Sequence, residues 1–135
     1  MIVGIGLDIE EIPRFARLLA RWGERLSRRL FTEGERAYAS GRTREASHFA
    51  ARFAAKEAAL KALSVPPGLS WHEIEVVGGG DRPPRLVLRG RALAAAGALG
   101  VEHLHLTLTH TDGVAAAVVI AEGGGGAARG EGEGG

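Results

Sequence analysis

The chain has no cysteine, asparagine or glutamine, and its one methionine is residue 1. Without cysteine there can be no disulfide, zinc–thiolate site or thiol nucleophile. No apolar run reaches membrane-spanning length, and the first residues lack the basic start and apolar stretch of a signal peptide, so no membrane association and a cytoplasmic location are expected. An excess of one charge is also missing: the formal net charge is +1 over 135 residues. No nucleic-acid partner is expected, and any electrostatic partner has to be met by a local patch. Lysine is scarce. Of the 17 basic residues only Lys56 and Lys61 are lysines, and they share one short segment.

What is present reads as one domain over residues 1–122, followed by a low-complexity Gly-rich tail, 123–135, expected to be disordered because it has almost no apolar surface to bury. "MIVGIGL" predicts a strand of about six residues ending at Asp8. A helix follows over 10–26, with Pro13 tolerated in its first turn and Gly23 a candidate break. Thr32 and Glu35 have capping-box spacing, so a short helix starts there and stops at Gly41. A long helix runs over 44–63 and ends at "PPG". Segments 71–77 and 85–90 alternate like paired strands, 91–99 is a short helix, and 103–111 with 114–122 form a hairpin turning at Asp112-Gly113. The sum is α+β: an antiparallel sheet packed against helices.

On the long helix Phe49, Phe53, Leu60 and Leu63 share one arc. Glu57 lies on its edge, Lys61 one turn beyond, and Lys56 on the other border. Glu57 and Lys61 can form an ordinary i, i+4 pair worth a few tenths of a kcal/mol. Alternatively, Ala50, Ala54 and Ala58 leave space around a half-buried carboxylate, where a hard cation could bind with Asp8 as a second oxygen ligand. Asp8 also reads as a cap of the next helix. Gly4 and Gly6 lack the third glycine of a dinucleotide fingerprint and suit close packing on the strand. Arg14, Arg17 and Arg21, with Arg25 and Arg28, form a stripe on the first helix, facing away from the long one. It is either a solvated face or a dock for an acidic protein. His103 and His105 share a strand face and His110 falls on the opposite one, which excludes a three-histidine metal cluster. His110, beside the turn, is a surface histidine or a phosphate donor.

"GIGLDIEEIPRF", "FTEGERAY", "FAARFAAKEAALKAL" and "LTLTHTDGVAAAVV" occur in this order, and over residues 1–121 the chain resembles holo-acyl-carrier-protein synthase, the small type of 4′-phosphopantetheinyl transferase. The resemblance implies transfer of the phosphopantetheine arm of coenzyme A to a serine of apo acyl carrier protein, with adenosine 3′,5′-bisphosphate as the other product, in fatty-acid biosynthesis. It implies Mg²⁺ held by Asp8 and Glu57, Lys61 near the phosphates, Arg52 and His110 on the cofactor, and carrier docking along Arg14, Arg17 and Arg21. It further implies a 4′-phosphopantetheinyl transferase-like α+β fold and a homotrimer with sites between subunits. Glu57 is then the candidate base for the serine, directly or through a metal-bound water. Lys61 offers a compact charge on a flexible stem that can follow a departing phosphate, where Arg offers a rigid fork. Two other functions use the same residues differently. A Mg²⁺-dependent nucleotide pyrophosphate hydrolase needs Asp8 and Glu57 but not the arginine stripe, and a non-catalytic module binding acidic proteins needs only the stripe.

Overall fold

The computed structural model describes residues 1–124. Along the chain come β1 (Ile2–Glu11), α1 (Ile12–Leu30), α2 (Glu33–Ala39), α3 (Glu45–Leu63), a single 3-10 turn (Trp71–Glu73), β2 (Ile74–Gly79), β3 (Arg82–Leu88), α4 (Gly90–Ala98), β4 (Val101–His110) and β5 (Val114–Gly123). β5 lies between β1 and β4 in an antiparallel three-stranded sheet, and β2 and β3 form a separate antiparallel pair. The α+β class is the one expected. No described helix is long and apolar enough to cross a membrane. Gly123 is the last residue of β5, its amide donating to Met1 O at 2.7 Å, so the strand runs one residue past the anticipated tail boundary. The rest of that tail, from 125 on, lies outside the described residues.

β1 is longer than its apolar residues suggest. Asp8, Ile9, Glu10 and Glu11 pair with Ala117, Ala116, Ala115 and Val114 of β5, so ladder hydrogen bonds carry the strand through a polar stretch. Asp8 therefore sits inside the strand, not at its end. It does not cap α1, whose N-cap is Glu11 with no side-chain cap bond. Gly23, at φ 57° and ψ −142°, breaks α1 into two segments.

α3 lies across β1 and β5. Its expected core arc is only part of its buried surface: Ala50, Ala54 and Ala58 are fully buried too, together with Ala55, Ala59 and Ala62. These alanines do not leave space around Glu57. They let the helix settle onto the sheet, where β1 answers with glycine. A Cβ on Gly6 would run into the carbonyl oxygen of Ala58, and one on Gly4 into that of Ala62. On its other side α3 contributes Phe49 and Phe53 to an aromatic cluster with Phe15, Phe31 and Trp71, in which Phe31 and Phe49 are 4.9 Å apart and Phe53 and Trp71 5.1 Å. That cluster docks α1.

The Thr32–Glu35 capping box forms as predicted and starts α2. Glu35 does more than cap: it is fully buried and paired with Lys56, which is also fully buried.

Candidate functional site

Alternation along β1 puts Gly4, Gly6, Asp8 and Glu10 on the face that meets α3. The glycines bring the helix down, and the carboxylates begin where the glycines end. Glu57 on α3 reaches this rim. Asp8, Glu10 and Glu57 are close enough to perturb one another. Glu10 is pushed up to about 8, by burial first, then by the neighbouring carboxylate of Asp8 and the charge of Glu57, while Arg14 pulls it down. Glu57 is also raised, by burial and then by Asp8, and Lys61 opposes the shift. Lys61 forms its ion pair with Asp8, not with Glu57 one turn away. Its Nζ donates to Leu7 O at 2.8 Å and lies 3.4 Å from Asp8 Oδ1. The other oxygen, Asp8 Oδ2, is buried without a hydrogen-bond partner.

Three crowded carboxylates with an orphaned buried oxygen are donors of the kind a hard cation takes. Among the described residues no three His, Asp or Glu side chains converge closely enough to enclose a metal on their own. A cation here would complete its shell with water or with oxygens of a bound substrate, which is the habit of Mg²⁺.

The repulsion gives a pH signature. Glu10 holds its proton in the folded chain up to about 8, against 4.5 for a free carboxyl. Between those values the native state binds a proton that the unfolded state has released. The stability from this group is thus full below pH 4.5 and falls as pH rises toward 8. In chelator, the melting temperature of the wild type should fall relative to that of Glu10→Gln as pH rises across this window. Parallel profiles of the two proteins would show that Glu10 is not crowded.

A second cluster lies toward the N-terminal end of α3. Arg52 is all but buried. Its guanidinium carbon is 3.7 Å from the centre of the Tyr38 ring, its Nη2 donates to Gly78 O at 2.8 Å, and its Nε has no partner. Arg42 covers the Tyr38 ring as well, at 3.9 Å. The His48 ring is 5.7 Å from that of Tyr38, and its pKa is lowered by burial, then by the charges of Arg42, Arg52 and His110. Cations that depress one another in this way mark a place where an anion would be stabilised. Arg44 ties this region to the β4–β5 turn through Asp112, at 2.5 Å.

Of the residues singled out in the sequence, Asp8, Glu57 and Lys61 come together, and Arg52 and His110 both act on His48 in the second cluster. Arg17 and Arg21 are exposed on α1, and Arg21 lies 5.1 Å from the ring centre of exposed Trp22. Arg14 is exposed too, but it does not face away from the carboxylates, since its charge acts on Glu10. His103 and His105 lie on the outer sheet face, where His105 meets Glu122 at 2.9 Å. Sequence reasoning missed Glu10, Arg42, His48 and Tyr38. Glu10 was within reach, because two residues beyond Asp8 is the same strand face once the strand is drawn to its full length. His48 and Arg52, at i and i+4, share a helix face in the same way.

An antiparallel sheet crossed by one helix, with an acidic cluster toward one end of that helix and a cationic cluster toward the other, suits an anionic, phosphate-bearing compound. The 4′-phosphopantetheinyl transferase superfamily profile matches residues 4–119, and the chain belongs to this family. A holo-[acyl-carrier-protein] synthase of Salinispora arenicola is 51% identical over 96 residues, covering 71% of this chain and 78% of that protein. The crystal structure of the Neisseria meningitidis holo-[acyl-carrier-protein] synthase superposes with a TM-score of 0.80 at 27% identity, over 90% of this chain and 99% of that one. The Bacillus anthracis synthase, solved in complex with CoA (3′,5′-ADP), gives 0.74 at 34% identity, over 92% and 99%.

Proposed function

We propose that this chain transfers the 4′-phosphopantetheine arm of coenzyme A to a serine of an apo acyl carrier protein. The observation that carries this reading is the placement of two opposite clusters toward the two ends of one helix, α3, in a member of this family. Coenzyme A has a pyrophosphate and a separate 3′-phosphate. The carboxylate rim suits a cation shared with the pyrophosphate, and the Arg42–His48–Arg52–His110 cluster suits a second anionic group. Asp8 and Glu57 would hold Mg²⁺, which when bound neutralises charge on the phosphate oxygens. Glu57, made more basic by burial and by Asp8, would take the serine proton, directly or through water. The serine oxygen bonds to the phosphorus that carries the pantetheine arm, the pyrophosphate P–O bond breaks, and adenosine 3′,5′-bisphosphate leaves with the electron pair. Lys61, half-exposed on a flexible stem, can turn from Leu7 O toward the departing phosphate.

The outer face of the sheet supports a homotrimer. Ile5, Leu7 and Ile9 are each more than half exposed, and their cross-strand neighbours are Ile120, Val118 and Ala116. A contiguous apolar strip of this kind on a sheet is an association surface. β1 thus carries the association strip on one face and Asp8 and Glu10 on the other.

Incubating the protein with coenzyme A, Mg²⁺ and an apo carrier, then weighing the carrier, tests the activity. A mass gain of one phosphopantetheine arm is expected. Cleavage of coenzyme A without a carrier would point to a hydrolase, and complex formation alone to a binding module.

Carrier docking falls to Arg17 and Arg21, with Arg14 at the site end of the stripe and Trp22 as an apolar anchor within it. Arg17→Glu/Arg21→Glu should raise the Michaelis constant for carrier roughly tenfold or more while leaving that for coenzyme A within about twofold. The difference should shrink above about 0.15 M salt, where screening acts over about 8 Å. Equal carrier constants at low salt would make the stripe a solvated face.

A further inference from the structure

Glu35 and Lys56 have no role in the site described above, yet they form the one ion pair among the described residues in which both side chains are fully buried. Glu35 Oε1 accepts from Lys56 Nζ at 2.5 Å and from Thr32 N at 2.8 Å, and Oε2 accepts from Val76 N at 2.7 Å. One carboxylate thus ties together the start of α2, the middle of β2 and the middle of α3. The Phe31 ring, 5.6 Å from Nζ, helps to shut water out. An ammonium fits this closed space because it meets the carboxylate at a single point. A guanidinium would bring five donors, most of them without partners. This accounts for a lysine at 56 in a chain that otherwise prefers arginine.

Stability alone does not explain the pair, since an apolar or neutral pair of the same volume is often as stable as a buried ion pair. Its position does more. The same three elements meet again one step along. On α2 the step runs from Glu35 to Tyr38, on β2 from Val76 to Gly78, and on α3 from Lys56 back to Arg52. Each is a same-face step for its element. At this second level Tyr38 and Gly78 O hold the Arg52 guanidinium. We propose that Glu35 and Lys56 are positioning residues: the pair sets the register of α2, β2 and α3 and so aims Arg52 and Tyr38 at the anionic end of the cofactor. This rests on Arg52 being a coenzyme A contact, as proposed above.

The test is Glu35→Gln/Lys56→Met, which keeps volume and an oxygen for a backbone N–H and removes both charges. Coenzyme A binding is measured by calorimetry and both substrates are varied in steady state. The double variant should melt cooperatively and bind coenzyme A about tenfold more weakly, the usual scale for residues that support a site. The kcat and the Michaelis constant for carrier should stay within about twofold, since only the aim of Arg52 has changed. In an Arg52→Ala background the same double change should have little further effect on coenzyme A, because the pair acts through Arg52. Unchanged coenzyme A binding, an equal loss in every kinetic constant, or full additivity with Arg52→Ala would each overturn the proposal. Glu35→Gln alone gives a second reading: Lys56, whose burial favours its neutral form, can shed its proton. If neither variant folds, the pair belongs to the fold itself and the proposal fails. If wild-type protein does not bind coenzyme A, the proposed function is what falls.

Discussion

Asp8→Asn and Glu57→Gln should each lower Mg²⁺-dependent transfer by on the order of a thousandfold, about 4 kcal/mol of transition-state stabilisation. Each removes a charged oxygen and almost no volume. The loss should come without loss of fold. Asp8, Glu10 and Glu57 repel one another in the metal-free chain, so neutralising one relieves strain. The Lys61–Asp8 pair that disappears in Asp8→Asn is 3.4 Å long and half-exposed on the lysine side, and adds little. Both variants should therefore melt no lower than the wild type in chelator, and Mg²⁺ should raise their melting temperatures less than it raises that of the wild type. Functional clusters commonly trade stability for activity in this way. Near-wild-type turnover at low Mg²⁺ in either variant would remove that residue from the ligand set.

Gly6→Ala should unfold the protein. The added methyl would occupy the place of the Ala58 carbonyl oxygen, and backbone cannot turn aside as a side chain can. Either α3 lifts off β1 or the strand leaves the sheet. Both empty the interface of Ala54, Ala58, Ala62 and Val119, which are buried. A loss of about 4 kcal/mol or more is expected, against a total of ~5–15 kcal/mol for a typical domain. Gly97→Ala is the matched control. Gly97 lies in α4 with nothing within 4 Å of an added Cβ, so the same substitution should stabilise by about 0.5–1 kcal/mol. Circular dichroism melts of both variants decide it. A cooperative Gly6→Ala melt close to the wild type would mean that the helix does not rest on the strand as described.

The helices, the hairpin and the capping box follow from local chemistry: 3.6-residue periodicity, the Thr32–Glu35 spacing, Asp112-Gly113 at a turn. Glu57 and Lys61 were legible as chemistry-bearing residues because a carboxylate and a lysine on the border of an apolar helix face are unusual there, and Asp8 because it follows an apolar strand; only the resemblance joined the three. Their mutual arrangement was not legible. Lys61 turns to Asp8 because α3 crosses β1 at two glycines, a contact between residues more than fifty positions apart. The alanines look like open space in sequence, but they are contact surface once a sheet lies against them. Glu10 joined the cluster only when pairing with β5 carried β1 through a polar stretch that has no strand signal of its own. Lys56 read as a border residue, since a helical wheel shows where a side chain points and not what closes over it. Its partner, Glu35, reads locally as a cap and nothing more. Composition, periodicity and cap spacing thus determine which elements form and which residues carry charge. The packing of α3 against β1, α2 and β2 decides which charges meet water, which meet each other, and which are left with an oxygen to offer.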